Sequence, residues 1–98
     1  MARRVEASIL LPGMLQVVAG SARVRVEAAT LAEALEELYG KVPALRFHLC
    51  EDSGGFRVHV LCFHNDRNTR ELKSLDVPLA AGDEISFVQA ISGGVDGG

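Results

Sequence analysis

Two runs of strict alternation open the chain. Val5, Ala7, Ile9 and Leu11 alternate with Glu6, Ser8 and Leu10, and Ala22, Val24 and Val26 oppose Arg23, Arg25 and Glu27 up to Ala28. A period of two with one apolar side predicts two strands, 5–11 and 22–28, of a sheet that buries one face. Pro12-Gly13 punctuates the first run. Met14 to Gly20 carries scattered apolar residues and reads as a loop closing at Gly20-Ser21.

The period then changes. Thr30-Leu31-Ala32-Glu33 has the form of a capping box, in which the Thr hydroxyl accepts from the Glu33 N–H and the Glu carboxylate reaches back. Leu31, Ala34, Leu35 and Leu38 fall on one helical stripe, leaving Glu33, Glu36 and Glu37 as the solvated face. Gly40 is the expected left-handed stop, with Lys41 at the negative end of the helix dipole. Pro43 opens a short second helix to Glu51, in which Leu45 and Leu49 share a face. Asp52-Ser53-Gly54-Gly55 is a turn. Arg57 to His64 reads as a strand with Val58, Val60 and Cys62 on one face and His59, Leu61 and Phe63 on the other.

Asn65-Asp66 begins another turn. A weak strand is expected over Glu71–Leu75, then an irregular stretch to Ala80 anchored by Leu79. Gly82-Asp83 turns into a last strand, Glu84 to Ile91, with Ile85, Phe87 and Gln89 alternating against Ser86, Val88 and Ala90. The first two strands should form a hairpin, the helix should cross the sheet, and the last strand should lie beside the first. That is an α+β layer pair, a β-grasp with a mixed sheet and one main crossing helix. Residues 1–91 form the domain, and 92–98 form a flexible tail, because glycine pairs leave the backbone free.

Composition narrows the functional classes. At 98 residues the chain supports one core, and 48% hydrophobic with 23% charged residues is a globular balance. A net charge of −3 gives no basic footprint for nucleic acid. No apolar run has the length of a membrane span, and the basic Met1-Ala2-Arg3-Arg4 leads into a strand pattern rather than a signal peptide. A cytoplasmic protein is expected, with Cys50 and Cys62 reduced.

The chemistry points to the tail. It reads Ser92-Gly93-Gly94-Val95-Asp96-Gly97-Gly98, so a Gly-Gly pair closes the sequence and can thread a narrow channel to present its carboxylate. Together with Leu79-Ala80-Ala81-Gly82-Asp83-Glu84-Ile85-Ser86-Phe87, this ending resembles that of the MoaD/ThiS-type sulfur carriers, which include the small subunit of molybdopterin synthase. In them an L-x-x-G-D-E turn and a hydrophobic residue lead into the last strand and a Gly-Gly tail. The capped helix, Pro43-Ala44-Leu45 and the strand ending His64-Asn65-Asp66 are similar too, so the likeness covers nearly the whole chain.

The resemblance implies a ubiquitin-like carrier that is no enzyme and binds no cofactor. An activating enzyme uses ATP to adenylate the terminal glycine, and a sulfur donor displaces AMP to leave a thiocarboxylate. A biosynthetic enzyme such as the molybdopterin synthase large subunit then accepts the sulfur. Molybdopterin is favoured by the turn. Cysteine, thiamine and tRNA-thiolation pathways stay open, as do a protein modifier forming isopeptides and a non-covalent β-grasp module. The family's usual length ends at Gly94, so Val95–Gly98 is an extra tetrapeptide that displaces the carboxylate by up to ~14 Å. The acceptor is Gly98 as encoded, with Gly97 before it, or Gly94 if a peptidase trims the tail.

The resemblance also places Phe87 on the exposed face of the last strand, where it would dock partners. The alternation by itself equally allows a core aromatic. Arg67, Arg70 and Lys73 form either a basic rim or, more simply, a solvated loop. His48, His59, His64, Cys50 and Cys62 lack zinc-site spacing, so no metal is expected. No nucleophile pairs with an acid or base, and neither Gly54-Gly55 nor Gly93-Gly94 has the context of a phosphate loop.

Overall fold

The computed structural model describes residues 3–89. Strands β1 (Val5–Leu10) and β2 (Arg23–Ala28) form an antiparallel hairpin in which Ala7 pairs with Val26 and Ile9 with Val24. Helix α1 (Gly13–Ala19) lies between them, and α2 (Leu31–Lys41) and α3 (Ala44–Leu49) follow. The chain returns through β3 (Val60–His64), the short β4 (Arg67–Asn68), a 3₁₀ turn at Thr69–Glu71, and β5 (Glu84–Gln89). The sheet order is β2-β1-β5-β3-β4, with β5 parallel to β1 and antiparallel to β3. This is the β-grasp arrangement, with the last strand beside the first.

The core lies between α2 and the inner face of the sheet. Leu31, Ala34, Leu35 and Leu38 are buried against a layer that includes Ala7, Ile9, Val26, Ala28, Ile85 and Phe87. Thr30 caps α2 by accepting from the Glu33 N–H at 3.2 Å. The Glu33 carboxylate reaches past Thr30 to the Ala29 N–H, 2.9 Å away. The next two orphan donors, Leu31 and Ala32 N–H, give hydrogen bonds to the carbonyls of Val77 and Leu75, both at 2.9 Å. The irregular stretch before Leu79 therefore serves as the second half of the helix cap, and Leu79 is buried as its anchor.

Four elements differ from the sequence expectation. Residues 13–19 form a helix rather than a loop: Leu15, Val18 and Ala19 turn inward at helical spacing, and Gly20, at φ 76°, closes it with an N–H to the Gln16 carbonyl. Gly40 does not stop α2. Pro43 does, because proline disfavours helical geometry in the residue before it, and Val42 sits at φ −137°, ψ 83°. Strand β3 starts at Val60, since Arg57–His59 turn away beneath α3 and leave Val58 77% exposed. The weak strand over Glu71–Leu75 does not form. Asn68 instead accepts from the Arg70 N–H at 3.0 Å and starts the 3₁₀ turn, so only Arg67–Asn68 pairs with β3.

Candidate functional site

The last strand sets the site. Ile85 and Phe87 of β5 face inward, and Phe87 is only 3% exposed, its ring edge-on to Phe56 at 5.6 Å between centroids. The exposed-face assignment of Phe87 is therefore corrected: the alternation that buries Ile85 must bury Phe87, two residues on. Ser86 and Val88 take the outward face, with Val88 44% exposed. Val88 pairs with Leu61, and Ser86 stands between Phe63 on β3 and Leu10 on β1. Leu10, Leu61 and Phe63 are all half-buried. The outward face of the three central strands thus carries an apolar strip that ends at Val88, beside the last described residue, Gln89.

A polar turn fixes the other end of β5. The Asp83 carboxylate accepts from the Ala80 N–H at 2.9 Å and from the Asn65 amide at 3.2 Å, and His64 Nε2 lies 2.8 Å from it. Asn65, in left-handed conformation at φ 55°, closes the lattice by exchanging hydrogen bonds with the Glu84 backbone at 2.7 and 3.0 Å. Burial works to raise the Asp83 pKa, but the Ala80 N–H, His64 and Asn65 outweigh it and hold the carboxyl below its ordinary value. The L-x-x-G-D-E turn is thus a rigid joint that locks the β3–β4 hairpin to the start of β5. Gly82, at φ 87°, occupies the position where a side chain would be strained.

The remaining sequence candidates are dispersed. Arg70 does not form a free basic rim; its guanidinium donates to the carbonyls of Val58 and Val60 at 2.8 and 3.1 Å and clamps the entry to β3. Cys50 and Cys62 are free thiols buried in the core. Burial pushes the Cys62 thiol up to about 12, against a hydrogen bond with Thr69 that lowers it. Cys50 Sγ lies 3.2 Å from the Tyr39 hydroxyl. His48 and His59 are exposed and His64 is engaged by Asp83, and the described residues bring no three potential metal ligands together. No helix of the described residues is long and apolar enough to cross a membrane. The tail calls, Gly93, Gly94, Gly97 and Gly98, lie outside the described residues.

The model of the ThiS family matches residues 9–94. The chain belongs to the ThiS family. This family of ubiquitin-like sulfur carriers and modifiers includes small archaeal modifier protein 1 of Haloferax volcanii, which is 37% identical over 83 residues, 82% of this chain and 91% of the relative. A crystal structure of that modifier superposes with a TM-score of 0.75 at 33% identity, covering 90% of this chain and 98% of its own. The solution structure of small archaeal modifier protein 1 from Methanosarcina acetivorans gives a TM-score of 0.80 at 24% identity, over 93% and 98% of the two chains. CysO, in the BexX/CysO complex of Amycolatopsis orientalis, shares the fold at 18% identity, with a TM-score of 0.77 and coverage of 89% and 98%. The ThiS-family match ends at Gly94, at the first of the two Gly-Gly pairs.

Proposed function

We propose that this chain is a sulfur carrier activated at its C-terminal glycine. A partner enzyme adenylates the carboxylate with ATP, releasing pyrophosphate. A sulfur nucleophile then attacks the acyl carbon and AMP leaves, giving a thiocarboxylate. A carboxylate is a poor acyl donor and the mixed anhydride a good one, so the chain's own residues need transfer no proton. The observation that carries this reading is the ThiS-family match, which extends from Ile9 in β1 to Gly94. The same match supports Gly94 as the family's acceptor position, and Gly98 as the acceptor where the tail stays intact.

The domain contributes docking. The outward strip of Leu10, Leu61, Phe63 and Val88 leads to the end of β5, where a partner holding the strip also receives the tail. Activation is tested by pyrophosphate exchange in the adenylating enzyme on adding the full chain. Exchange should be lost on deleting Gly93–Gly98 and weakened by Val88→Glu. Exchange that persists without the tail would overturn activation at the terminal glycine, and no exchange with the full chain would leave only a non-covalent binding module.

For the acceptor, the Leu79–Phe87 turn supports molybdopterin synthesis, through the large synthase subunit. The 37% identical relative, named a modifier protein, favours a second reading in which the adenylate passes to a lysine of another protein. Affinity capture of the full chain separates them. A non-covalent large subunit marks the first, and isopeptide-linked conjugates mark the second.

A further inference from the structure

Strand β2 is an edge of the sheet, and only part of that edge is closed. The Leu11 N–H donates to the Ala22 carbonyl at 2.9 Å. Antiparallel pairs alternate from there, so Val24, Val26 and Ala28 bond to β1 while Arg23, Arg25 and Glu27 turn their backbone groups outward. Side chains cover both ends of this outward row. Ser21 Oγ accepts from the Arg23 N–H at 3.2 Å and donates to its carbonyl at 2.7 Å. Arg4 Nη2 donates to the Glu27 carbonyl at 2.7 Å. Between these covers, among the described residues, the Arg25 N–H and carbonyl and the Glu27 N–H meet no partner. Three such groups in line are a template for an added strand.

The surface beside this window is charged. A groove between β2 and α2 has Arg25, Glu27, Glu37 and Lys41 in its walls. It adjoins a second groove in which Arg4 faces Glu27, Glu33, Glu36 and Glu37. Arg4 lies 3.6 Å from Glu37 and Arg46 reaches Glu36 at 3.0 Å, so two guanidinium groups stand against four carboxylates and the groove keeps a negative balance. We propose that the open Arg25–Glu27 edge, with the acidic groove along α2, takes an extended segment of a partner protein bearing Lys or Arg, added to the sheet as a further strand. A second copy of the chain is a poorer occupant. Antiparallel self-pairing centred on Arg25 matches Arg23 with Glu27 on either side but sets Arg25 against Arg25 and brings two acidic grooves together. The edge lies two strands from β5, so it stays open while a partner holds the Val88 strip.

The test is a titration of the isotope-labelled full chain with an acetylated, amidated hexapeptide of alternating valine and lysine, followed by amide NMR. A glutamate-for-lysine peptide serves as control. Shifts confined to β2 and residues 33–37, slowed exchange of the Arg25 and Glu27 amides, and weakening by salt support the proposal. Arg25→Pro removes the outward N–H without touching the ladder to β1 and should abolish binding. The double variant E36K/E37K should weaken binding about fivefold or more. If Arg25→Pro fails to fold, the double variant decides, and unchanged affinity overturns the proposal. It is equally overturned by no response at β2, by shifts on the β3–β5 face, by equal binding of the glutamate peptide, or by β2 shifts that grow with protein concentration alone.

Discussion

Replacing Phe87 and Val88, adjacent residues on one strand, separates packing from docking. Phe87→Ala removes a ring that is 3% exposed and packed edge-on against Phe56 at 5.6 Å. Truncating a buried phenylalanine costs about 3–5 kcal/mol, and loss of the aromatic pair belongs to that figure. In a domain of this size each kcal/mol lowers Tm by about 4–8 °C, so Phe87→Ala should melt at least ~12 °C early. Val88→Ser trims a side chain that is 44% exposed on the outward face, and its cost should stay under about 1 kcal/mol. Urea unfolding of both variants gives the stabilities, and the chain concentration that half-saturates pyrophosphate exchange reads partner docking. The expected pattern is a large fall in midpoint for Phe87→Ala, and near-native stability with weakened docking for Val88→Ser. The reasoning is refuted if Phe87→Ala keeps its midpoint and loses docking, for then Phe87 faces outward and the register of β5 is wrong.

The Asp83 joint makes an acid-dependent prediction. Its folded pKa lies below the unfolded value, so its contribution to stability is present above the unfolded pKa, near 3.9, and is lost as pH falls through the folded value. Asp83→Asn should therefore be less stable at pH 7 by about 1–2 kcal/mol, and urea midpoints should converge with wild type as the pH drops below about 4. With its pKa at about 12, the Cys62 thiol should resist iodoacetamide at pH 8 in the native protein and react at the rate of global unfolding, as read by mass spectrometry in graded urea. Thr30→Ala removes the cap on the Glu33 N–H and should cost about 1 kcal/mol by urea unfolding, with α2 otherwise intact by circular dichroism.

Elements with a strong period were legible in the sequence. The alternation of Val5–Leu11 and Ala22–Ala28, the capped stripe of α2 and the Asn65-Asp66 turn stand as read, and the first hairpin and the last strand beside the first follow from them. What escaped the reading depends on contacts between distant segments. The helix at 13–19 is too short for its Leu15-Val18-Ala19 spacing to stand out, and it is held by burial against the core. The shortened β3 follows from Arg57, whose guanidinium donates twice to the Phe47 carbonyl at 3.0 and 2.8 Å and draws the strand entry away. Nor does sequence reveal that Arg70 clamps backbone, since its partners lie ten and twelve residues back.

The docking face shows both sides of this. Alternation along Glu84–Gln89 identified which residues share a face and left open which face is covered. Burial of Ile85 and Phe87 in the core decides that, and the docking role we propose passes from Phe87 to Val88. The polar joint around Asp83 was visible as a motif, but not as a lattice reaching His64 and Asn65, nineteen and eighteen residues earlier.

The central claim concerns one carboxylate, and the intact mass of the chain tests it most directly. The full-length protein is incubated with its adenylating enzyme, ATP and a sulfide source, and the C-terminal peptide is sequenced by mass spectrometry. The account predicts exchange of one oxygen for sulfur on the terminal glycine, either Gly98 or, with Val95–Gly98 removed, Gly94. An unchanged terminal carboxylate while the enzyme remains active on another carrier of this family would contradict it.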